Sequence, residues 1–305
     1  MNTYLETRSY PSDFPVHAFY AKNNTFLAHW HIDVEMLFVL EGSIRIGVNK
    51  SVKTLHKGEM AIFGSTDIHY YDSENLNSKI IGLIFRPEII NYPIGWPENL
   101  KFDLHFLDTN AINEDSKKTA HLFEDIFFDV LSELDLTSPF YQMYVKGRLL
   151  ELCALSLRYF KTSHATNGLR DQKIANTHPI QHVLDFIENN YDEDISLDLI
   201  SKEAKLNPYY FTRLFKKFTG TNFKHYLSTM RVNKAEELIK TTPKSKIDIA
   251  YECGFNSVRT FNRTFKAVKG YTPSDIGDTH NVISTNKRKY IFDWIVLNGI
   301  HNIIK

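Results

Sequence analysis

A chain of 305 residues, with 43% hydrophobic residues, 24% charged residues and a formal net charge of zero, is long enough for two globular domains of ordinary size. No apolar run reaches the roughly 18 residues of a membrane-spanning helix, the first residues lack the apolar core of a secretory signal, and two distant cysteines, Cys153 and Cys253, argue against a disulfide framework. We therefore expect a cytoplasmic protein with reduced, buried thiols.

Short strands broken by turn residues are predicted from about residue 14 to residue 90. The segments VEMLFVL, SIRIGV, SVKTL, EMAIF and KIIGLIF are rich in Val, Ile and Phe. Turn signals containing Gly42 and Gly58 separate some of them, which is typical of hairpins. Several short strands at this spacing predict an antiparallel sandwich or a small barrel.

From about residue 115 the apolar residues recur with the period of a helix. The segment KKTAHLFEDIFFDVLSEL places Leu122, Ile126 and Val130 on one helical face, and Pro139 opens a second long helix. Residues 161–177 are polar and without periodicity, so we predict a linker there.

An internal repeat occupies the helical region that follows. The copy ISKEAKLNPYYFTRLFKKFTG (200–220) matches IAYECGFNSVRTFNRTFKAVKG (249–270) at an offset of 49 before the turn and 50 after it. Each copy reads as a short helix, a tight turn and a second helix, which is the pattern of a helix-turn-helix motif. Residues 223–242 follow one continuous helical pattern, which we expect to set the separation of the two motifs.

The second helix of each copy carries side chains suited to DNA between its phenylalanines. Arg can bond guanine, Asn can pair with adenine, Thr or Tyr can touch a thymine methyl group, and Lys can contact phosphates. Residues 196–274 hold 15 Lys and Arg against 6 Asp and Glu, a net charge of +9, although a solvated basic face would give the same composition. The outward-facing candidates are Tyr209, Thr212, Arg213, Lys216, Arg259, Asn262, Arg263 and Lys266.

These motifs resemble the DNA-binding region of the AraC/XylS family of bacterial transcription regulators. IAYECGF, NSVRTFNRTFK and GYTPSDI carry the resemblance in the second copy, and LNPYYFTRLFKKFTG and RVNKAEELI carry it in and after the first. The resemblance implies a bihelical domain that activates or represses promoters, and a second motif that contacts RNA polymerase. It implies base reading by Tyr209, Thr212, Arg213, Arg259, Thr260, Asn262 and Arg263.

The strands before residue 90 resemble the cupin-like sensing domain of such regulators. The pattern H-x-H-x3-E-x6-G begins at His29, and G-x10-H runs from Gly58 to His69, although Asn23 and the segment GSTD depart from the usual cupin residues. The resemblance implies a barrel mouth lined by His29, His31, Glu35 and His69. These side chains would line an effector pocket, for example for a sugar, bind a divalent metal, or form a purely structural cluster.

We therefore expect an α+β protein of two domains. Its predicted parts are a cupin-like antiparallel β-barrel (1–110), a helical dimerisation region (111–160), a linker (161–177), an all-α bihelical DNA-binding domain (178–278) and a helical tail (279–305). The expected partners are double-stranded promoter DNA, a small-molecule effector, RNA polymerase and a second copy of the chain. No catalysis and no cofactor beyond the candidate metal is expected. The alternatives are a metal-dependent cupin enzyme or metal sensor fused to a DNA-binding module, and a scaffold for RNA or other polyanions.

Overall fold

The computed structural model describes residues 14–90, 100–108, 116–164 and 178–276. These residues divide into two compact units. The barrel unit holds the residues up to Asn190 together with Ile195–Tyr226, and the second-motif unit holds Tyr191–Asp194 and the residues from Leu227 onward.

The barrel unit is built on short antiparallel strands, as the sequence predicts. The strands are β1 Val16–Lys22, β2 Phe26–His29, β3 Val34–Val48, β4 Ser51–His56, β5 Glu59–Phe63, β6 His69–Asp72, β7 Ser78–Phe85, β8 Leu100–Phe102, β9 Phe106–Asp108 and β10 Thr162–His164. One path of neighbouring strands runs β1-β7-β3-β5-β9, and β2 pairs with β6, which in turn pairs with β3. Pro87–Ile90 form a short 3-10 turn after β7.

The long strand β3 links the two faces of the barrel. Its first half pairs with β5 and β7, and its second half, from Ser43, pairs with β4 and β6. The predicted hairpin turn at Gly42 is wrong, because the chain continues as a strand through this residue with only a shift in register. Gly42 has φ +70°, and a Cβ there would lie 1.9 Å from the Asn77 carbonyl oxygen, so glycine is required for this bend.

Alternating side chains of these strands form the core of the barrel, because successive residues of a strand point to opposite faces. The apolar cluster is made of Leu37, Val39, Ile44, Ile46, Val48, Leu55, Ala61, Phe63, Tyr71 and Ile80. Gly58, with φ +80°, lies in the turn between β4 and β5, where a turn was predicted.

Two helices that cover the barrel follow the strands, in the part of the chain where the sequence takes on a helical period. They are α1, Ser116–Leu136, and α2, Tyr141–Tyr159, and α1 packs on β1 and β7. The beginning of the predicted linker differs from expectation, because Thr162–His164 form β10, which pairs with β8. Backbone hydrogen bonds hold this polar strand, so hydrophobic periodicity gave no sign of it. The rest of the predicted linker, 165–177, lies outside the described residues.

The remaining elements are helical and follow the predicted repeat. They are α3 Pro179–Asn190, α4 Leu197–Glu203, α5 Pro208–Thr219, α6 Phe223–Thr241, α7 Lys246–Glu252 and α8 Val258–Lys269, followed by a 3-10 turn at Pro273–Asp275. The continuous helix predicted for 223–242 is confirmed as α6. No helix of the described residues is long and apolar enough to cross a membrane.

The boundary between the two compact units lies at a different place from the predicted domain boundaries, and the predicted domains stay a prediction. The prediction places both helix-turn-helix motifs in one domain, 178–278, whereas the first motif, α4 and α5, belongs to the barrel unit and the boundary falls within α6 after Tyr226. The predicted tail, 279–305, lies outside the described residues.

Candidate DNA-binding helices and the histidine–glutamate cluster

The first helix-turn-helix motif is formed by α4 and α5. Asn207 caps α5, since its side chain accepts a hydrogen bond of 2.9 Å from the backbone N–H of Tyr210, and Pro208 occupies the first helical position. Phe211 and Phe215 are buried on one side of the helix. Gly220, with φ +74°, ends the helix in the left-handed conformation that a glycine adopts without strain.

The predicted DNA-contacting residues of α5 are all exposed to solvent. Thr212, Arg213 and Lys216 are exposed, and 74% of the Tyr209 side chain is accessible. The Arg213 guanidinium lies 5.8 Å from the centre of the Tyr209 ring, so the two side chains form one cationic and aromatic surface.

The second motif, α7 and α8, repeats this construction. Ser257 caps α8 by accepting a hydrogen bond of 3.2 Å from the Thr260 backbone N–H, and Gly270 ends the helix with φ +80°. Phe261 and Phe265 are buried at the positions that correspond to Phe211 and Phe215. The exposed residues of this helix include Arg259, Thr260, Asn262, Arg263 and Lys266.

A partly buried carboxylate connects α6 to the end of α8 within the second-motif unit. Glu236 forms ion pairs with Lys240 and Lys269 and accepts a hydrogen bond of 2.8 Å from the Tyr271 hydroxyl. Burial alone would raise the pKa of Glu236, but the hydrogen bonds from these three side chains and the charge of Lys269 lower it to about 2. This network was not predictable from the sequence, because Glu236 and Tyr271 lie 35 positions apart along the chain.

In the barrel, the structure brings together the four residues singled out as effector or metal ligands. His29 ends β2, His31 follows it, Glu35 lies on β3, and His69 begins β6. All four are buried, and each offers a ligand atom within 4.8 Å of the others. The Glu35 Oε2 atom lies 2.9 Å from His31 Nε2 and 3.3 Å from His69 Nε2.

Backbone carbonyl groups orient all three imidazole rings in the same way. The Nδ1 atoms of His29, His31 and His69 lie 3.0, 3.0 and 2.9 Å from the carbonyl oxygens of Leu27, Asp33 and Asp67. A carbonyl oxygen only accepts, so each Nδ1 carries the proton, and a neutral ring then presents the lone pair of Nε2 to the cluster. Metal-binding histidines are commonly oriented by a carbonyl in this manner.

With the rings in this orientation, a positive charge at the centre of the cluster would be stabilised. Two Nε2 lone pairs would face the Glu35 carboxylate unless a proton or a cation lies between them. Burial would raise the pKa of Glu35, but its hydrogen bonds with His31 and His69 hold it well below the usual value, and burial together with the charges of His69 and His31 lowers the pKa of His29. Three nitrogens and a carboxylate oxygen fit a divalent transition metal.

Two aromatic residues contact the cluster, and one of them, Tyr71, was not identified from the sequence. The Tyr71 hydroxyl donates a hydrogen bond to Glu35 Oε1, and the Phe63 ring stacks on His69 with the ring centres 4.3 Å apart. Tyr71 lies two positions after His69 on the same strand, so the period of two could have pointed to it.

Comparison with known proteins matches two separate parts of the chain. A family model described as a helix-turn-helix domain matches residues 200–278, and a cupin domain model matches residues 16–78. The melibiose operon regulatory protein of Escherichia coli is 26% identical over 261 residues, which are 81% of this chain and 82% of that protein.

Two solved structures are also similar in sequence or in extent. The C-terminal domain of the response regulator yesN from Fusobacterium nucleatum is 32% identical and matches 30% of this chain and 91% of that one, with a TM-score of 0.30. ToxT from Vibrio cholerae, solved with an unsaturated fatty acid, is 12% identical and matches 88% of this chain and 96% of that one, with a TM-score of 0.41.

The structure and the two family models agree on the two parts of this chain. The barrel with its histidine cluster corresponds to the cupin model, and the capped helices with exposed basic residues correspond to the helix-turn-helix model. This chain belongs to the AraC-type helix-turn-helix transcription regulators, and it carries a cupin domain ahead of its DNA-binding motifs.

Proposed function

We propose that the chain reads a promoter sequence with the exposed faces of α5 and α8 and that a small ligand in the barrel controls this binding. The observation that carries the proposal is the matched construction of the two helices. Each is capped at its start, ends at a glycine, buries phenylalanines at two matched positions and presents Arg and Lys to solvent. Arg and Asn side chains on such a face can bond base edges in the major groove.

Binding to systematically substituted promoter fragments tests base reading by α8. Arg263→Ala is expected to weaken binding by about 1–3 kcal/mol at one base position and to relax the preference there. Lys266→Ala is the matched control, because a phosphate contact contributes equally to every sequence. Uniform weakening by Arg263→Ala on every fragment would contradict base reading and would favour a general polyanion-binding surface.

The cluster of His29, His31, Glu35 and His69 is the proposed ligand site. ToxT was solved with a fatty acid, and the related Escherichia coli protein regulates a melibiose operon, so relatives of this chain are associated with very different molecules. Three imidazoles and a carboxylate favour a polar ligand over an acyl chain. We infer a small polar metabolite such as a sugar, a divalent metal, or both.

A metal bound here would supply positive charge to the three Nε2 atoms and to Glu35. We propose that its role is sensing or structural support, because the related proteins are regulators. A metal-dependent enzyme fused to a DNA-binding module is the competing function. It would show substrate turnover that His31→Ala abolishes while DNA binding persists.

A second copy of the chain is the proposed partner of α2. One stripe of exposed residues begins at Phe140, directly before this helix, and continues along it at intervals of three, four, three and four positions, which is the spacing of a helix–helix seam. Of its large side chains, Phe140 is 81% exposed and Met143 is 75% exposed. The stripe consists of Phe140, Met143, Gly147, Leu150 and Ala154.

RNA polymerase is the proposed partner of the second motif. Ile247 and Tyr251, four residues apart on α7, are each 56% exposed, and apolar side chains in such a position are suited to protein contact. Since promoter DNA is the proposed target, we infer that the protein acts in the cytoplasm.

A further inference from the structure

The strands that carry the histidine cluster are buried on both of their faces. His29 and His31 point into the cluster, and Ala28 and Trp30, which alternate with them, are buried on the opposite face. Helix α5 of the first motif packs against β2, β3 and β6. The cluster and the first motif therefore lie on the two sides of the same short segments of backbone.

Three hydrogen bonds hold the helices around the first motif to this outer face. The Tyr226 hydroxyl, at the start of α6, donates to the Ala28 carbonyl oxygen over 2.6 Å, and Trp30 Nε1 donates to Asp185 Oδ1 of α3 over 3.0 Å. Gln181 Nε2, also on α3, donates to the Thr66 carbonyl oxygen over 2.7 Å. The first two involve residues directly next to a histidine of the cluster.

The loop that carries Thr66 is tied to the cluster as well. The Thr66 backbone N–H donates a hydrogen bond of 2.8 Å to the carbonyl oxygen of His31. A displacement of His31 would therefore reach α3 through Trp30 on one side and through Thr66 and Gln181 on the other.

Tyr70 makes a fourth contact, through shape. It follows His69 on β6, and its ring lies between Gly47 of β3 and Gly220 at the end of α5. A Cβ on Gly47 would lie 1.9 Å from the ring and a Cβ on Gly220 would lie 2.6 Å from it, so only glycine fits on either side. The position of the α5 end is thus set by the residue next to a cluster histidine.

We propose that the first helix-turn-helix motif is docked on the outer face of the cluster strands and that occupancy of the cluster sets how firmly it is docked. A close-packed strand cannot move on one face without moving on the other. The DNA-facing residues Tyr209, Thr212 and Arg213 remain exposed in the docked arrangement, so docking orients α5 without covering it. This inference rests on the proposed DNA-binding function and assigns the structural link between ligand and DNA.

A double-mutant cycle on the full chain tests the link without requiring the natural ligand. Glu35→Gln alters the cluster, Tyr226→Phe removes the hydroxyl that bonds Ala28, and affinity for a specific promoter fragment is measured for the wild type, both single variants and the double variant. Glu35→Gln changes the dissociation constant for DNA by one factor in the wild type and by another in the Tyr226→Phe variant. We expect these two factors to differ at least about fivefold.

Tyr144→Phe is the matched control, because it also removes a hydroxyl that donates a hydrogen bond, to Asp129 Oδ2 over 3.1 Å, but lies on α2, away from the cluster and both motifs. In that background Glu35→Gln is expected to act as it does in the wild type. Hydrogen exchange supplies a second readout: Glu35→Gln is expected to change amide protection in α3 and at the C-terminal end of α5, and to leave α8 as it was.

Independent effects of Glu35→Gln and Tyr226→Phe, with unchanged exchange in α3 and α5, would overturn the inference. An absence of any effect of Glu35→Gln on either measurement would overturn it as well. Failure of the proposed function has a different signature, since the wild type itself would then show no preference for the specific fragment.

Discussion

Glu236, on α6, and Tyr271, which follows α8, are joined by a hydrogen bond of 2.8 Å between a carboxylate oxygen and the phenol hydroxyl. Lys269 pairs with the same carboxylate, so Glu236 connects the end of the second DNA-binding helix to the helix behind it. The orientation of α8 within the second-motif unit therefore depends on a group that titrates in acid.

Stability of the second-motif unit is expected to fall in acid through Glu236. Its pKa is about 2 in the folded protein against an ordinary value of 4.5, so its contribution is fully present above about pH 5 and is lost as the pH falls toward 2. Glu236→Gln is expected to lower the free energy of unfolding by about 1 kcal/mol at pH 7, since solvent screens the pairs. The free energies of unfolding of the wild type and of Glu236→Gln, measured from pH 7 to pH 2, should converge as the pH falls. A gap that stays constant with pH would contradict this assignment.

Gly220→Ala is expected to destabilise the barrel unit more than Gly270→Ala destabilises the second-motif unit. Both glycines end a recognition helix with positive φ, so either substitution costs about 1–2 kcal/mol of backbone strain. A Cβ on Gly270 meets no atom within 4 Å, whereas one on Gly220 strikes the Tyr70 ring. Hydrogen exchange of α5 and α8 separates the two units, and equal losses in the two variants would show that Tyr70 does not set the position of α5.

Divalent metal is expected to bind the cluster at one ion per chain. Titration with Co²⁺, followed by the visible absorption of the ion, or with Zn²⁺, followed by calorimetry, measures this. His31→Ala removes a ligand and is expected to abolish binding, and Tyr71→Phe, which removes the hydrogen bond to Glu35, is expected to weaken it about 10- to 100-fold. Equal metal content in the wild type and in His31→Ala would exclude the cluster as the binding site.

A dimer formed through α2 is expected to dissociate when its exposed stripe is charged. Met143→Glu or Leu150→Glu places a carboxylate in the proposed seam, where burying it without a partner costs several kcal/mol, about the whole stability of a small interface. Sedimentation velocity should show a dimer for the wild type and a monomer for these variants. Gln142→Glu, an exposed change off the stripe on the same helix, is the control and should remain dimeric. A monomeric wild type, or dimeric Met143→Glu and Leu150→Glu variants, would rule out this surface.

The helix-turn-helix motifs were predictable because they leave a short-range pattern, whereas the full histidine cluster was expected from the resemblance to cupin-like domains. The repeat places Phe211 and Phe261 in equivalent positions, caps precede both helices, and the spacing of His29 and His31 matches the alternation of side chains along a strand. Such patterns arise from local geometry, which the sequence records directly.

Features that depend on contacts between distant segments were not predictable. The bond from Tyr226 to Ala28 spans 198 positions, and nothing in the local pattern of either residue indicates it. Strand β10 is held by backbone pairing with β8, which leaves no side-chain period. The assignment of the first motif to the barrel unit follows from such long-range contacts, which leave no pattern in the sequence of the motif itself.

The placement of the first motif bears on the construction of hybrid regulators. A hybrid that joins this sensing barrel to another protein's DNA-binding region after residue 177 would discard Gln181, Asp185, Gly220 and Tyr226, and with them the helical side of the interface. A junction placed within α6, after Tyr226, would keep that interface whole while exchanging only the second motif. Such a hybrid would carry one recognition helix from each parent, and the proposed docking predicts that it would respond to a ligand bound at the histidine–glutamate cluster.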